Sequence, residues 1–182
     1  MINLITNEKA LENYLRFDIT DSGIEVAVDK SLTTKEYIGI KVDDFYNDIM
    51  PMCAPKSVDF IVSVDCQCNV FSLYILELKN VKKSKNLKIP DIHEKFDTTI
   101  NDFINVRFKH IFLNPAFKYK KINLYLIGDI YGEKGKTTHH NVKLRDSLKT
   151  DMSLSSKIYK IHGKLCTIKY DIPPNPLIKK DT

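Results

Sequence analysis

The chain has 182 residues, of which 43% are apolar and 28% charged, with 6 Gly and 7 Pro. This composition excludes collagen-like, low-complexity and disordered chains and is enough for one globular domain. No unbroken apolar run is longer than Leu73 to Leu76, far short of the roughly 20 residues that cross a bilayer. The formal net charge of +5 is uneven: residues 1–131 carry 17 basic and 18 acidic side chains, whereas residues 132–182 carry 11 and 5. A neutral body with a basic last third points to a polyanionic partner, with a Lys-rich solvated face as the plainer alternative. The first residues lack the apolar core of a signal peptide, and four cysteines without a secretion signal are expected to stay reduced, so a cytoplasmic protein is expected.

Taken in chain order, the apolar spacing predicts a first amphipathic helix over 7–17, with Leu11, Tyr14 and Leu15 on one face, then a short strand over 24–28. A second helix is predicted from Thr34 to about Asp48. Thr33 and Glu36 have capping-box spacing, Ile38, Val42, Phe45 and Ile49 form a stripe, and Pro51 ends it. Val58 to Val64 and Val70 to Leu78 read as strands of an antiparallel hairpin that turns at 66–69. After a Lys-rich loop and Pro90, a long helix is predicted over 91–112 with Ile92, Phe96, Ile100, Phe103 and Ile111 inward, followed by a strand over 122–127. Beyond Gly132 the expectations are a loop over 132–136, a short helix over 142–148, a hairpin turning near His162 and Gly163, and an extended proline-rich end. The order of elements predicts an α/β sandwich around a central mixed sheet flanked by helices, with a core over about 34–128 and a basic extension over about 132–182 in the same domain.

The chemistry concentrates at Pro55, Asp59, Glu77 and Lys79. Strand parity puts Glu77 and Lys79 on one face, and both faces of the strand around Glu77 are apolar, so the carboxylate is expected to be buried. A buried carboxylate costs several kcal/mol unless a cation compensates it. Pairing across the turn brings Asp59 close to Glu77, since their positions sum to 136, close to twice the turn centre near 67.5. Two adjacent carboxylates repel unless a divalent cation lies between them, and two carboxylate oxygens, a backbone carbonyl and waters suit Mg²⁺.

This pattern resembles the PD-(D/E)xK phosphodiesterase superfamily, the restriction-endonuclease-like fold. The likeness rests on Pro55, Asp59, Glu77 and Lys79 and on the order of elements over 34–128. It departs from the family in the three residues between Pro55 and Asp59, and in having no evident strand between the second helix and Asp59. The resemblance implies that Asp59 and Glu77 bind Mg²⁺, that the carbonyl of Leu78 joins them, and that Lys79 assists the nucleophile. An upstream acidic residue often completes such sites; Glu36 is the first candidate and Glu25 the second. The implied function is a Mg²⁺-dependent endonuclease acting on double-stranded DNA, best matched by a type II restriction endonuclease working as a homodimer. The same chemistry on a branched, damaged or RNA substrate, and a non-catalytic nucleic-acid-binding module, stay open.

Residues expected to meet DNA are Lys82, Lys83 and Lys85 after the Glu77 strand, and Lys134, Lys136, His139, His140, Lys143 and Arg145 in the basic third. Arg145, one of only three arginines, is the first choice for a guanine contact. Cys66 and Cys68 are separated by one residue, too close for an ordinary zinc pair, and Gly132 to Thr137 lacks the four-residue spacer of a phosphate loop.

Overall fold

The computed structural model describes residues 1–80, 87–129 and 152–181. Its centre is the expected hairpin: β5 (Phe60–Asp65) and β6 (Val70–Leu78) pair antiparallel with Phe60 opposite Leu76 and Ile61 opposite Ile75. This is the register in which paired positions sum to 136. The turn between them is tight, with Gln67, Cys68 and Asn69 all at positive φ.

Four further strands complete a six-stranded mixed sheet in the order β1-β4-β5-β6-β7-β10. They are β1 (Leu15–Arg16), β4 (Tyr37–Lys41), β7 (Lys118–Ile127) and β10 (Ile168–Asp171). Strands β1, β4, β5 and β6 run antiparallel in sequence, whereas β7 is parallel to β6 and β10 is parallel to β7. Two small hairpins lie outside the sheet: β2 (Thr20–Asp21) with β3 (Ile24–Glu25), and β8 (Tyr159–Ile161) with β9 (Lys164–Cys166). The second turns at His162 and Gly163, where the sequence places it.

Several elements differ from their sequence expectation. The helix expected over 34–48 is instead β4 followed by α2 (Val42–Ile49). All five residues of β4 are buried, which the sheet satisfies on both faces. Thr33 and Glu36 do make the capping-box contact, with Thr33 N and Oγ1 each donating to Glu36 Oε2 at 2.9 Å, but it closes a turn before a strand. The helix expected over 7–17 is a short α1 (Ile2–Thr6), a 3₁₀ segment (Lys9–Tyr14) and β1. The long helix begins as α3 (Ile89–Thr98), widens to a π-helix over Thr99–Arg107 and finishes as α4 (Lys109–Phe112). Its apolar face is the expected one, since Ile92, Phe96, Ile100, Phe103 and Ile111 are all buried.

Strand alternation divides the core. Ile61, Leu73, Ile75, Leu124 and Leu126 face the helices, packed against Phe45, Ile92, Phe96 and Phe103. Phe60, Val62, Tyr74, Leu76 and Ile127 face the other way, where Ile19, Ile24, Val26 and Ile178 cover them. Among the described residues the flanking helices therefore lie on one face, and the β2–β3 hairpin with the C-terminal segment covers the other. That segment is tied down by Asp29 N to Ile178 O and Ile178 N to Ala27 O, and Lys180 pairs with Glu36. With β10 in the sheet, the last third contributes to the main framework. No helix among the described residues is long and apolar enough to cross a membrane.

Candidate active site

The site forms where β4 and β6 end and β5 begins. Asp59 precedes β5 and is 5% exposed, and Glu77, next to last in β6, is fully buried. The hairpin register sets them opposite each other with the parity of Ile61 and Ile75, on the helix side of the sheet. Asp59 Oδ2 accepts a hydrogen bond from Leu78 N at 2.6 Å, which fixes the carboxylate against β6. Val42 N donates to Asp59 O at 2.9 Å, fixing its backbone against the start of α2.

Three ammonium groups answer these carboxylates. Lys79 Nζ lies 3.1 Å and Lys95 Nζ 2.7 Å from the same Glu77 Oε1. Lys95 reaches it from α3, whose position is held by Val58 N donating to Thr99 Oγ1 and by Lys56 bridging Asp91 and Glu94. On the other side, Lys41 Nζ lies 2.8 Å from Asp21 Oδ1, 3.1 Å from Asp43 Oδ1 and 3.9 Å from Asp59 Oδ1, above the Phe60 ring. The sequence reading missed Lys41, Asp43, Lys95 and Asp21. Apolar spacing puts Lys41 and Asp43 in the interior of a helix, Lys95 stands 18 residues from Glu77, and Asp21 comes from a hairpin with no periodic signal.

Among the described residues, four carboxylates thus share three ammonium groups, one positive charge fewer than negative. Burial, then the neighbouring charge of Glu77, pushes the Asp59 carboxyl up to about 7, against the charge of Lys95 and the Leu78 hydrogen bond. Burial also raises Asp43. Burial opposes the charge on Lys95, but the carboxylates of Glu77 and Asp59 outweigh it and raise its pKa. For Lys41 the same balance, struck by Asp21, Asp43 and Asp59, has the same sign. Near neutral pH Asp59 therefore exchanges the proton that balances the cluster.

The remaining oxygens fit a hard cation. Glu77 Oε2 is buried without a hydrogen-bond partner, and Asp59 Oδ1 has only the distant Lys41 ammonium. Among the described residues no group of three or more His, Cys, Asp or Glu side chains is arranged to enclose a metal ion. Two carboxylates with open positions suit Mg²⁺, which keeps several waters and is bound through one or two carboxylates, better than zinc or calcium.

Asp59, Glu77, Leu78 and Lys79 come together as the sequence implies. Glu36 does not join them: its backbone carbonyl accepts from Asp65 N, at the opposite end of β5, and its side chain is held by Thr33 and Lys180. Glu25 is exposed on β3, paired with Thr20. Asp43, which shares the Lys41 ammonium with Asp59, is the acidic side chain from α2 that the fold brings to the cluster. Lys82, Lys83, Lys85, Lys134, Lys136, His139, His140, Lys143 and Arg145 lie outside the described residues. The chain matches no protein-family model, no curated protein and no solved structure.

Proposed function

We propose that the chain is a Mg²⁺-dependent endonuclease of restriction-endonuclease-like fold that hydrolyses phosphodiester bonds in double-stranded DNA, acting as a homodimeric type II restriction enzyme. The observation that carries this reading is the pairing of Asp59 and Glu77 at the end of the β5–β6 hairpin, with Lys79 3.1 Å from Glu77. Strand β4 pairs antiparallel with β5, although it precedes α2 and no strand lies between α2 and Asp59. Asp59 and Glu77 would hold the cation through Oδ1 and Oε2, with the Leu78 carbonyl beside them. Bound there, Mg²⁺ supplies Lewis-acid polarisation of the phosphate and charge stabilisation of the transition state. Lys79, a third exposed, is poised to orient the attacking nucleophile. Lys95 holds Glu77 in place from α3 and so positions the carboxylate.

The test is incubation of the purified chain with supercoiled plasmid in Mg²⁺, in Ca²⁺ and in chelator. The reading predicts discrete fragments in Mg²⁺, binding without efficient turnover in Ca²⁺, whose larger and looser shell positions the nucleophile poorly, and no cutting in chelator. Cutting that persists in chelator contradicts the metal mechanism. A smear places the enzyme among non-specific nucleases, and binding without cutting in any cation makes it a binding module.

A further inference from the structure

Beside the Glu77 site, between the end of β6 and the start of α3, lies a cleft of about 380 Å³. That volume is within the roughly 300–1,000 Å³ typical of small-molecule sites. Among the described residues, Lys56, Lys79, Lys88 and Lys95 line it with one carboxylate, Asp91, and Leu87 and Ile92 give it an apolar wall. The lysines are not equivalent. Lys56 is engaged by Asp91 and Glu94 and forms a side of the cleft. Lys79 and Lys95 both meet Glu77 Oε1 at the floor and are already answered by the carboxylates there. Lys88 is exposed, makes no ion pair with any described residue, and stands as the N-cap of α3 with no side-chain cap.

A solvated lysine face would point its charges outward over a convex surface. Here four of the seven described lining residues are lysines that converge on one concavity, and Lys88 has no carboxylate partner among the described residues. A bare inorganic anion has no use for Leu87 and Ile92. A sugar and base do.

We propose that this cleft binds one phosphorylated nucleotide of the substrate strand, with the phosphate against Lys88 and Lys79 and the sugar and base against Leu87 and Ile92. The proposal rests on the nucleic-acid reading of the adjoining site and adds a nucleotide subsite to it. The phosphate belongs either to an internal position next to the cleaved bond or to a strand end.

The test is calorimetric titration of the intact chain, in chelator so that no turnover contributes, with thymidine 5′-monophosphate, thymidine and inorganic phosphate. The monophosphate should bind roughly tenfold tighter than either fragment, and Lys88→Ala should weaken it by roughly tenfold, the effect of one charge-assisted hydrogen bond. Leu87→Ser should bring the monophosphate down to the affinity of inorganic phosphate while leaving the latter unchanged. Lys88 is exposed and Leu87 only partly buried at the edge of the core, and unchanged thermal melting of each variant establishes that it folds. Oligonucleotides with and without a 5′-phosphate then separate the two sources. Tighter binding of the phosphorylated form, lost in Lys88→Ala, assigns the cleft to a strand end, and equal binding of both, each weakened by Lys88→Ala, assigns it to an internal phosphate. No binding of the monophosphate, thymidine binding equally well, or indifference to Lys88→Ala overturns the proposal. If the monophosphate binds as described while plasmid stays uncut in Mg²⁺, the nuclease reading falls and the nucleotide cleft stands.

Discussion

Asp59 and Lys79 show how differently two residues of one site bear on stability. The carboxyl of Asp59 is raised to about 7 in the folded chain, from an ordinary value near 4, chiefly by burial and then by Glu77. A group whose folded pKa is raised favours folding when protonated. Its contribution is complete below the unfolded pKa and is lost as pH rises from about 4 through about 7. Asp59→Asn keeps an oxygen for Leu78 N and removes the titration. In chelator it should therefore melt higher than the parent at pH 8, by an amount on the order of 3 kcal/mol, and the gain should vanish toward pH 4. Equal melting of the two proteins across this range would show that Asp59 ionises without cost. Lys79 and Lys95 both meet Glu77 Oε1, but their side chains are 33% and 18% exposed. Lys95→Ala should cost about 2–3 kcal/mol in chemical denaturation because it leaves a buried charge half-compensated. Lys79→Ala should cost under about 1 kcal/mol yet abolish cleavage, since water compensates the exposed partner but cannot orient the nucleophile.

At the scale of elements, packing around the strand ends constrains the site as much as the charges do. Gly128 follows β7 and is buried beside Lys79, whose amide donates to Ile127 O at 2.8 Å. A Cβ on Gly128 would stand 2.3 Å from the Lys79 carbonyl oxygen, so Gly128→Ala must push the end of β6 from β7. The expected cost is about 1–3 kcal/mol with a loss of cleavage far beyond that of a surface variant, read by melting and plasmid assay together. Wild-type cleavage in Gly128→Ala would mean that Lys79 tolerates displacement. The β5–β6 hairpin was legible because a period of two, β-branched residues and a polar turn all agree, and the turn sets the register that pairs Asp59 with Glu77. Strand β4 was not. Ile38, Val42, Phe45 and Ile49 fit a helical spacing even though the chain changes from strand to helix between Lys41 and Val42. Five buried residues in a row carry no period that separates a central strand from a buried helix. The π-helix was hidden for a related reason: the same apolar residues face the core, but Phe108 N bonds to Phe103 O, five residues back, and local spacing does not announce that. Lys95 and Asp21 reach the cluster only through tertiary packing.

Over the whole molecule, the positive excess lies after residue 131, and in the described part of that stretch Lys160 and Lys164 are exposed on the β8–β9 hairpin. Each phosphate that such a lysine neutralises releases counterions, so log affinity for DNA should fall linearly with log salt. Replacing Lys160 and Lys164 together by Ala should flatten that slope by about 2 and weaken all sequences alike; an unchanged slope would make this hairpin a solvated face. The end of the sheet that carries Asp59 and Glu77 is acidic instead. There the raised carboxyl of Asp59 lies beside Glu77, and on the proposed reading a divalent cation would take up their charge. The account turns on Asp59 and Glu77 binding Mg²⁺ for phosphodiester hydrolysis. The decisive measurement is the rate of Mg²⁺-dependent plasmid cleavage by Asp59→Ala and Glu77→Ala, each shown by melting to be folded, against the parent chain. The account predicts active parent and no detectable cutting by either variant. Parental rates in both variants would contradict it.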